Sequence, residues 1–270
     1  MIKAEHGIHS LRVRPIREQA LTRGHAAPCP QSPEAHILLM REPHRIIFIG
    51  GGGHARVLAE IIDPTKAGSI FGYVDLHPTE RFEYPYLGDD SALDSFPPDG
   101  CLLVNGLGSV HLPVKRFDIF RRLSARGYRF MNVIHPRAVI SPGALLRDGV
   151  QVLAGAVINP GVTIGENCLI NTGAVIDHDC TIDRHCHIAP GAVLSGSVRV
   201  GEGSHIGTGA TVVQGIEIGC RVLIGAGSVV VSNIPDGCKA FGIPARPQGL
   251  SEKTATQRSR HVDDPNHTAA

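Results

Sequence analysis

The segment Ile158-Asn-Pro-Gly-Val162-Thr-Ile164-Gly-Glu-Asn-Cys168-Leu-Ile170-Asn-Thr-Gly-Ala174-Val-Ile176 places an aliphatic residue at every sixth position. Extending the count both ways gives Ile134, Ile140, Leu146 and Val152 before it, and Ile182, Ile188, Leu194, Val200, Ile206, Val212, Ile218, Ile224 and Val230 after it. Four residues after each stands a small or β-branched residue, such as Ala138, Ala156, Cys168, Ala174, Cys180, Cys186 or Ala192. The phase never slips. Alternating strands of an ordinary sandwich could not keep it through their turns, whereas a parallel β-helix requires it.

Each hexad reads as a short flat strand and a corner, and three hexads complete a triangular coil of eighteen residues. The aliphatic residue points into the prism, and the small residue fits the crowded corner. Coils stack at about 4.8 Å, so residues eighteen apart form columns. The stretch Phe241-Gly-Ile-Pro-Ala-Arg246-Pro leaves the repeat and is expected to cover the last coil, whose strand edge would otherwise be open.

The segment before the prism has another rhythm. Arg45–Ile49 reads as a buried strand, Gly50–Gly53 as a tight turn, and His54–Ile62 as a helix. Strands over Ser69–Val74 and Cys101–Asn105 and a helix from about Leu112 to Arg126 complete a small Rossmann-like parallel sheet. The expected fold is therefore a small α/β domain over 45–133 followed by a left-handed parallel β-helix over 134–247. Residues 1–44, rich in Arg and Pro, read as a disordered extension or the product of an upstream start codon, with Met40 as the working start. Residues 248–270 read as a disordered tail.

Bulk properties agree. Aromatic residues make up 4% of the chain, without Trp, which suits a narrow interior of small aliphatics rather than a layered core. A net charge of +1 favours neither nucleic acid nor membrane as a partner. No apolar run has the length of a membrane span. Seven cysteines, an odd number without framework spacing, point to free thiols and a cytoplasmic location.

Gly50-x-Gly52-x-x-Ala55 with Asp75 downstream loosely matches a dinucleotide fingerprint. The chain then turns to hexads instead of a second half-sheet, so a nucleotide-sugar diphosphate fits better than NAD. The richest polar cluster runs from Asp177 to His187. A metal site is disfavoured, because Cys180 and Cys186 fall at inward corners and cannot converge with outward histidines on one ion. His178 follows the inward Ile176 by two residues and should project outward as a general base. Asp179 can hold its ring. Gly196 lies one coil above, where a bare backbone N–H could receive an oxyanion. His187, nine residues on, belongs to a different edge, so any joint action with His178 is expected across a subunit boundary.

Gly-Gly-His54-Ala-Arg-Val, Asn171-Thr-Gly-Ala-Val-Ile-Asp-His178-Asp179, His185-Cys-His187-Ile-Ala-Pro-Gly and Gly242-Ile-Pro-Ala-Arg246 together resemble one family. It is the nucleotide-sugar acetyltransferase family of hexapeptide proteins, which includes UDP- and GDP-4-amino-sugar N-acetyltransferases and sialic acid O-acetyltransferase-like proteins. The resemblance implies acetyl-CoA as co-substrate, no metal, a homotrimer with sites between subunits, and a nucleotide-linked sugar as acceptor. It assigns His178 as base, Asp179 as its acidic neighbour and Gly196 as oxyanion donor. It assigns Asn171, His187, Thr208 and Ala226 to acetyl-CoA, and Gly52, Gly53, His54, Asp75 and Gly106 to the nucleotide-sugar. Family members commonly carry Glu where this chain has Asp179. O-acetylation of a sialic-acid-like sugar and a non-catalytic partner protein are the alternative functions.

Overall fold

The computed structural model describes residues 45–62, 70–109 and 111–249. The expectations for residues 1–44 and 250–270 lie outside the described residues, whereas residues 248 and 249, read as the start of a disordered tail, are paired in the last described strand.

The N-terminal domain is a four-stranded parallel sheet. Its strands are β1 (Arg45–Ile49), β2 (Ile70–Val74), β3 (Tyr86–Gly88) and β4 (Cys101–Asn105), in the order β3-β2-β1-β4. Helix α1 (Gly53–Ile62) follows β1, and α2 (Val114–Ala125) follows β4. Strand β1 sits centrally and buries Ile46 to Ile49, as its unbroken apolar run demands. Strand β3 and a 3-10 helix over Asp90–Ser95 were not anticipated. The chain then returns along β4, with Leu103 bridging Phe130, and enters the prism at Val133.

The prism is a left-handed parallel β-helix of seventeen two-residue strands, β5 (Val133–Ile134) to β21 (Val229–Val230). Every third strand pairs in parallel, so that Thr163 lies beside Thr181 and Val175 beside Val193. Three sheets result. The first face runs through β5, β8, β11, β14, β17 and β20, the second through β6, β9, β12, β15, β18 and β21, and the third through β7, β10, β13, β16 and β19. The inward aliphatics from Val152 to Val230 are buried with their corner partners Ala156, Cys168, Ala174, Cys180 and Cys186. Only the first coil departs. Ile134 is 44% exposed, because no coil lies beneath it.

The C-terminal stretch covers the last coil as expected and extends further. Strand β22 (Cys238–Gly242) adds in parallel to β20, and β23 (Ala245–Gly249) turns back along β22. A Cβ on Gly225 would meet the Phe241 ring at 2.2 Å, so that aromatic side chain lies directly over the glycine.

The outward residue of each strand gives the three faces different surfaces. The first face carries Val133, Gln151, Leu169, His187, His205 and Leu223, and Val133, Leu169 and Leu153 join the buried cluster of the N-terminal domain. The second carries Val139, Val157, Val175, Val193, Thr211 and Val229, all exposed or half-buried. The third carries Leu145, Thr163, Thr181, Arg199 and Glu217.

Candidate active site

His178 occupies the turn between β12 (Val175–Ile176) and β13 (Thr181–Ile182), at the edge where the second and third faces meet. Its side chain is 51% exposed, as the hexad register predicts. Nδ1 is 2.8 Å from Oδ2 of Asp179, which leaves Nε2 for an incoming group. The Asp179 hydrogen bond, followed by the charge of Asp177, raises the His178 pKa above its ordinary value. Asp179 holds a left-handed backbone, φ 60°, a region Asp tolerates better than most side chains. Gly161, one coil below, makes room for it: a Cβ there would lie 2.4 Å from an Asp179 carboxylate oxygen.

Gly196 stands one coil above His178, as the column rule requires. A Cβ at this position would lie 2.6 Å from Nε2 of His178. Its backbone φ is outside the left-handed region, so space rather than torsion calls for glycine. Among the described residues no acceptor takes the Gly196 N–H. An imidazole nitrogen thus lies against a residue with an unspent donor, an arrangement suited to acyl transfer from a thioester.

The other assigned residues lie elsewhere. Thr208 and Ala226 are exposed in one column at the edge between the first and second faces, and Asn171 adjoins that edge. His187 is on the first face, buried at 4% exposure beneath the N-terminal domain. Asn171 donates to its Nε2 at 3.1 Å, so the neutral ring carries its proton on Nδ1 and donates to Ser109 Oγ at 2.8 Å. Its ring meets His205 edge to face at 4.6 Å. Within one chain, His178 and His187 therefore do not share a site.

His54 also enters this seam. Its Nε2 donates to Gln151 Oε1 at 2.8 Å, and Gln151 donates to the Asn105 carbonyl at 2.8 Å. His185 accepts from Asn167 at 3.0 Å and meets the edge of Phe117. Burial above all lowers His54, His185 and His205 to about 4 and His187 to about 3. At neutral pH all four are uncharged. Arg116 is 2% exposed and donates to the carbonyls of Asn105 and Leu107. Burial lowers it only to about 9, so it stays a cation at neutral pH. Ser109, Gln151, Arg116 and His205 escaped the sequence reading. The hexad register carried no signal for this cover, because the second face is as apolar at its outward positions as the first.

In the N-terminal domain, Gly52 and Gly53 are exposed at the start of α1, with open space where a Cβ would stand. Asp75 lies beside this turn. One carboxylate oxygen accepts from Gly51 N–H at 2.9 Å and the other from Leu76 N–H at 2.8 Å. Gly106 is buried, and a Cβ there would sit 2.6 Å from the Gly50 carbonyl oxygen. It lets two turns approach.

An α/β domain seated on a hexad prism with an outward imidazole–carboxylate pair defines a hexapeptide acyltransferase. Residues 45–117 match the PglD N-terminal domain family, and residues 143–178 and 161–196 match the bacterial transferase hexapeptide family. No curated protein sequence matches significantly. Among solved structures, PerB from Caulobacter crescentus, in complex with CoA and GDP-perosamine, is 39% identical, with a TM-score of 0.71, over 76% of this chain and 97% of its own. The acetyltransferase domain of PglB from Neisseria gonorrhoeae is 35% identical, with a TM-score of 0.72, over 76% of this chain and 100% of its own. WeeI from Acinetobacter baumannii AYE, at 23% identity and a TM-score of 0.69 over 76% of this chain and 100% of its own, shares the fold. The chain belongs to the nucleotide-sugar acetyltransferase family of hexapeptide proteins, and it is an acyltransferase.

Proposed function

We propose that this protein transfers the acetyl group of acetyl-CoA to the amine of a UDP- or GDP-linked 4-amino sugar, with His178 as general base. The observation that carries this reading is the contact set of His178: Asp179 on Nδ1, and Gly196 against Nε2. The acceptor nitrogen bonds to the thioester carbon and gives its proton to Nε2 while the Gly196 N–H faces the developing oxyanion. The C–S bond then breaks, and the imidazolium returns the proton to the CoA thiolate. Neither a covalent nucleophile nor a metal is required. An amine acceptor is favoured over a hydroxyl by the perosamine N-acetyltransferase bound to CoA and GDP-perosamine.

The reading includes a homotrimer. The second face, a ladder of Val139, Val157, Val175, Val193, Thr211 and Val229, has no cover among the described residues. His178 borders it on one edge, and Thr208 and Ala226 border it on the other. A ring closed through this face sets the His178 edge of one copy against the Thr208 edge of the next. That arrangement supplies base and CoA groove to each site from two copies. Among the described residues no helix is long and apolar enough to cross a membrane. The reading places the reaction in the cytoplasm, with acetyl-CoA.

The test is release of free CoA thiol from acetyl-CoA with a panel of nucleotide-linked amino and hydroxy sugars. Turnover is expected with amines only. His178→Ala should cost about 10²–10⁴ in kcat. Undiminished turnover in that variant removes His178 from the role of base.

A further inference from the structure

The residue before the candidate base is engaged more tightly than the base itself. Asp177 Oδ1 accepts the backbone N–H of His178 at 2.8 Å. The same oxygen accepts Nδ2 of Asn159 at 2.8 Å, from the coil below. Asp177 and Asn159 are eighteen residues apart, so the bond runs straight up a column of the prism. Asp177 is also anchored through its own N–H, which donates to the Leu194 carbonyl at 2.9 Å in the coil above. An aspartate tied to both neighbouring coils therefore holds the peptide that carries the imidazole.

We propose that Asp177, clamped by Asn159, is a positioning residue for His178: it fixes the backbone from which the base projects and sets a second negative charge beside the ring. This rests on the reading of His178 as base. The clamp leaves the ring itself free, since Asp179 alone takes Nδ1. The two carboxylates thus divide the work. One orients the ring by direct contact, and the other holds the turn and acts through space.

The charge is held in place by its partners. Hydrogen bonds from His178 N–H, first, and Asn159 lower the Asp177 pKa, so the carboxylate stays ionised across the working range. Among the described residues, the elements around the ring bring no competing charge. The turn below contributes Pro160 and Gly161, the turn above Gly196 and Ser197, and among the described residues only Asp177 and Asp179 are titratable beside His178. Both favour the imidazolium, so each raises the basicity of Nε2.

Asp177→Asn separates the two actions, because its amide oxygen can still accept both hydrogen bonds while the charge is lost. The experiment is an NMR titration of the His178 imidazole in the full chain, assigned by the peak missing from His178→Asn, beside kcat/KM against pH. In Asp177→Asn the His178 titration and the acid limb of kcat/KM should both move to lower pH, since the deprotonated ring is the active form. Asn159→Ala should lower kcat about fivefold, the loss of one ordinary hydrogen bond, with KM for acetyl-CoA unchanged. An unmoved His178 titration in Asp177→Asn overturns the proposal, whatever the rate does. Retained turnover in His178→Asn overturns the base reading instead, and the titration still judges Asp177 on its own.

Discussion

Nε2 of His178 lies where the side chain of any residue but glycine at position 196 would begin: a Cβ there would stand 2.6 Å from that nitrogen and 2.7 Å from the adjacent Cε1. Two positions eighteen residues apart thus compete for one volume, and the chain gives it to the imidazole.

Gly196→Ala follows from this. The backbone torsions at 196 suit alanine, and the atom displaced is the far end of an exposed side chain, so the fold should survive with Tm within a few degrees of wild type. The ring must swing away from its place over the turn, and kcat should fall by about 10²-fold, the scale of a lost general base. Wild-type kcat in a folded Gly196→Ala protein would mean that the ring position does not matter.

The separation of His178 and Thr208 on opposite edges of the valine face gives a second test. His178→Asn and Thr208→Trp should each be inactive alone. Mixed by unfolding and refolding together in equal amounts, they should regain about a quarter of wild-type activity, because in a cyclic assembly a fourth of the sites pair an intact edge from each parent. Sites contained in one chain would give no recovery.

The four seam histidines set a pH dependence of stability. His54, His185 and His205 titrate at about 4 and His187 at about 3 in the folded protein, below the ordinary histidine value. The unfolded chain therefore takes up protons first as pH falls through about 6.5. The stability these groups contribute is complete above that value and is lost progressively towards pH 4 and below. His178 is shifted the other way, but it is a single exposed group. Tm should fall between pH 6.5 and 5, above the ordinary carboxylate range, and the double variant His54→Gln, His205→Gln should flatten the slope. A wild-type Tm constant over that interval would contradict neutral burial of these rings.

The prism was legible because its determinant is local and repeats. Ile158, Ile164 and Ile170 each report the same inward geometry, and one phase fixes them all. His178, Asp179 and Gly196 follow from that phase by counting, so their placement was readable too. The seam was not, since His187 and Gln151 occupy outward positions whose environment depends on a separately folded domain, reached through residues 46 to 97 positions away. Strand β3 was missed for the opposite reason. Tyr86–Gly88 is three residues long and follows a stretch with no period, and its strand character comes from pairing with β2.

The residue just before each inward aliphatic is spared the demands of the interior. The chain writes histidine, glutamine and leucine there on one face, valine on the next, and threonine, arginine and glutamate on the third. A rod whose inside has a grammar of six thus speaks outwardly in a grammar of eighteen. Such a rod can be addressed separately from three directions, and any one side can be rewritten by selection while the other two, and the core, keep their text.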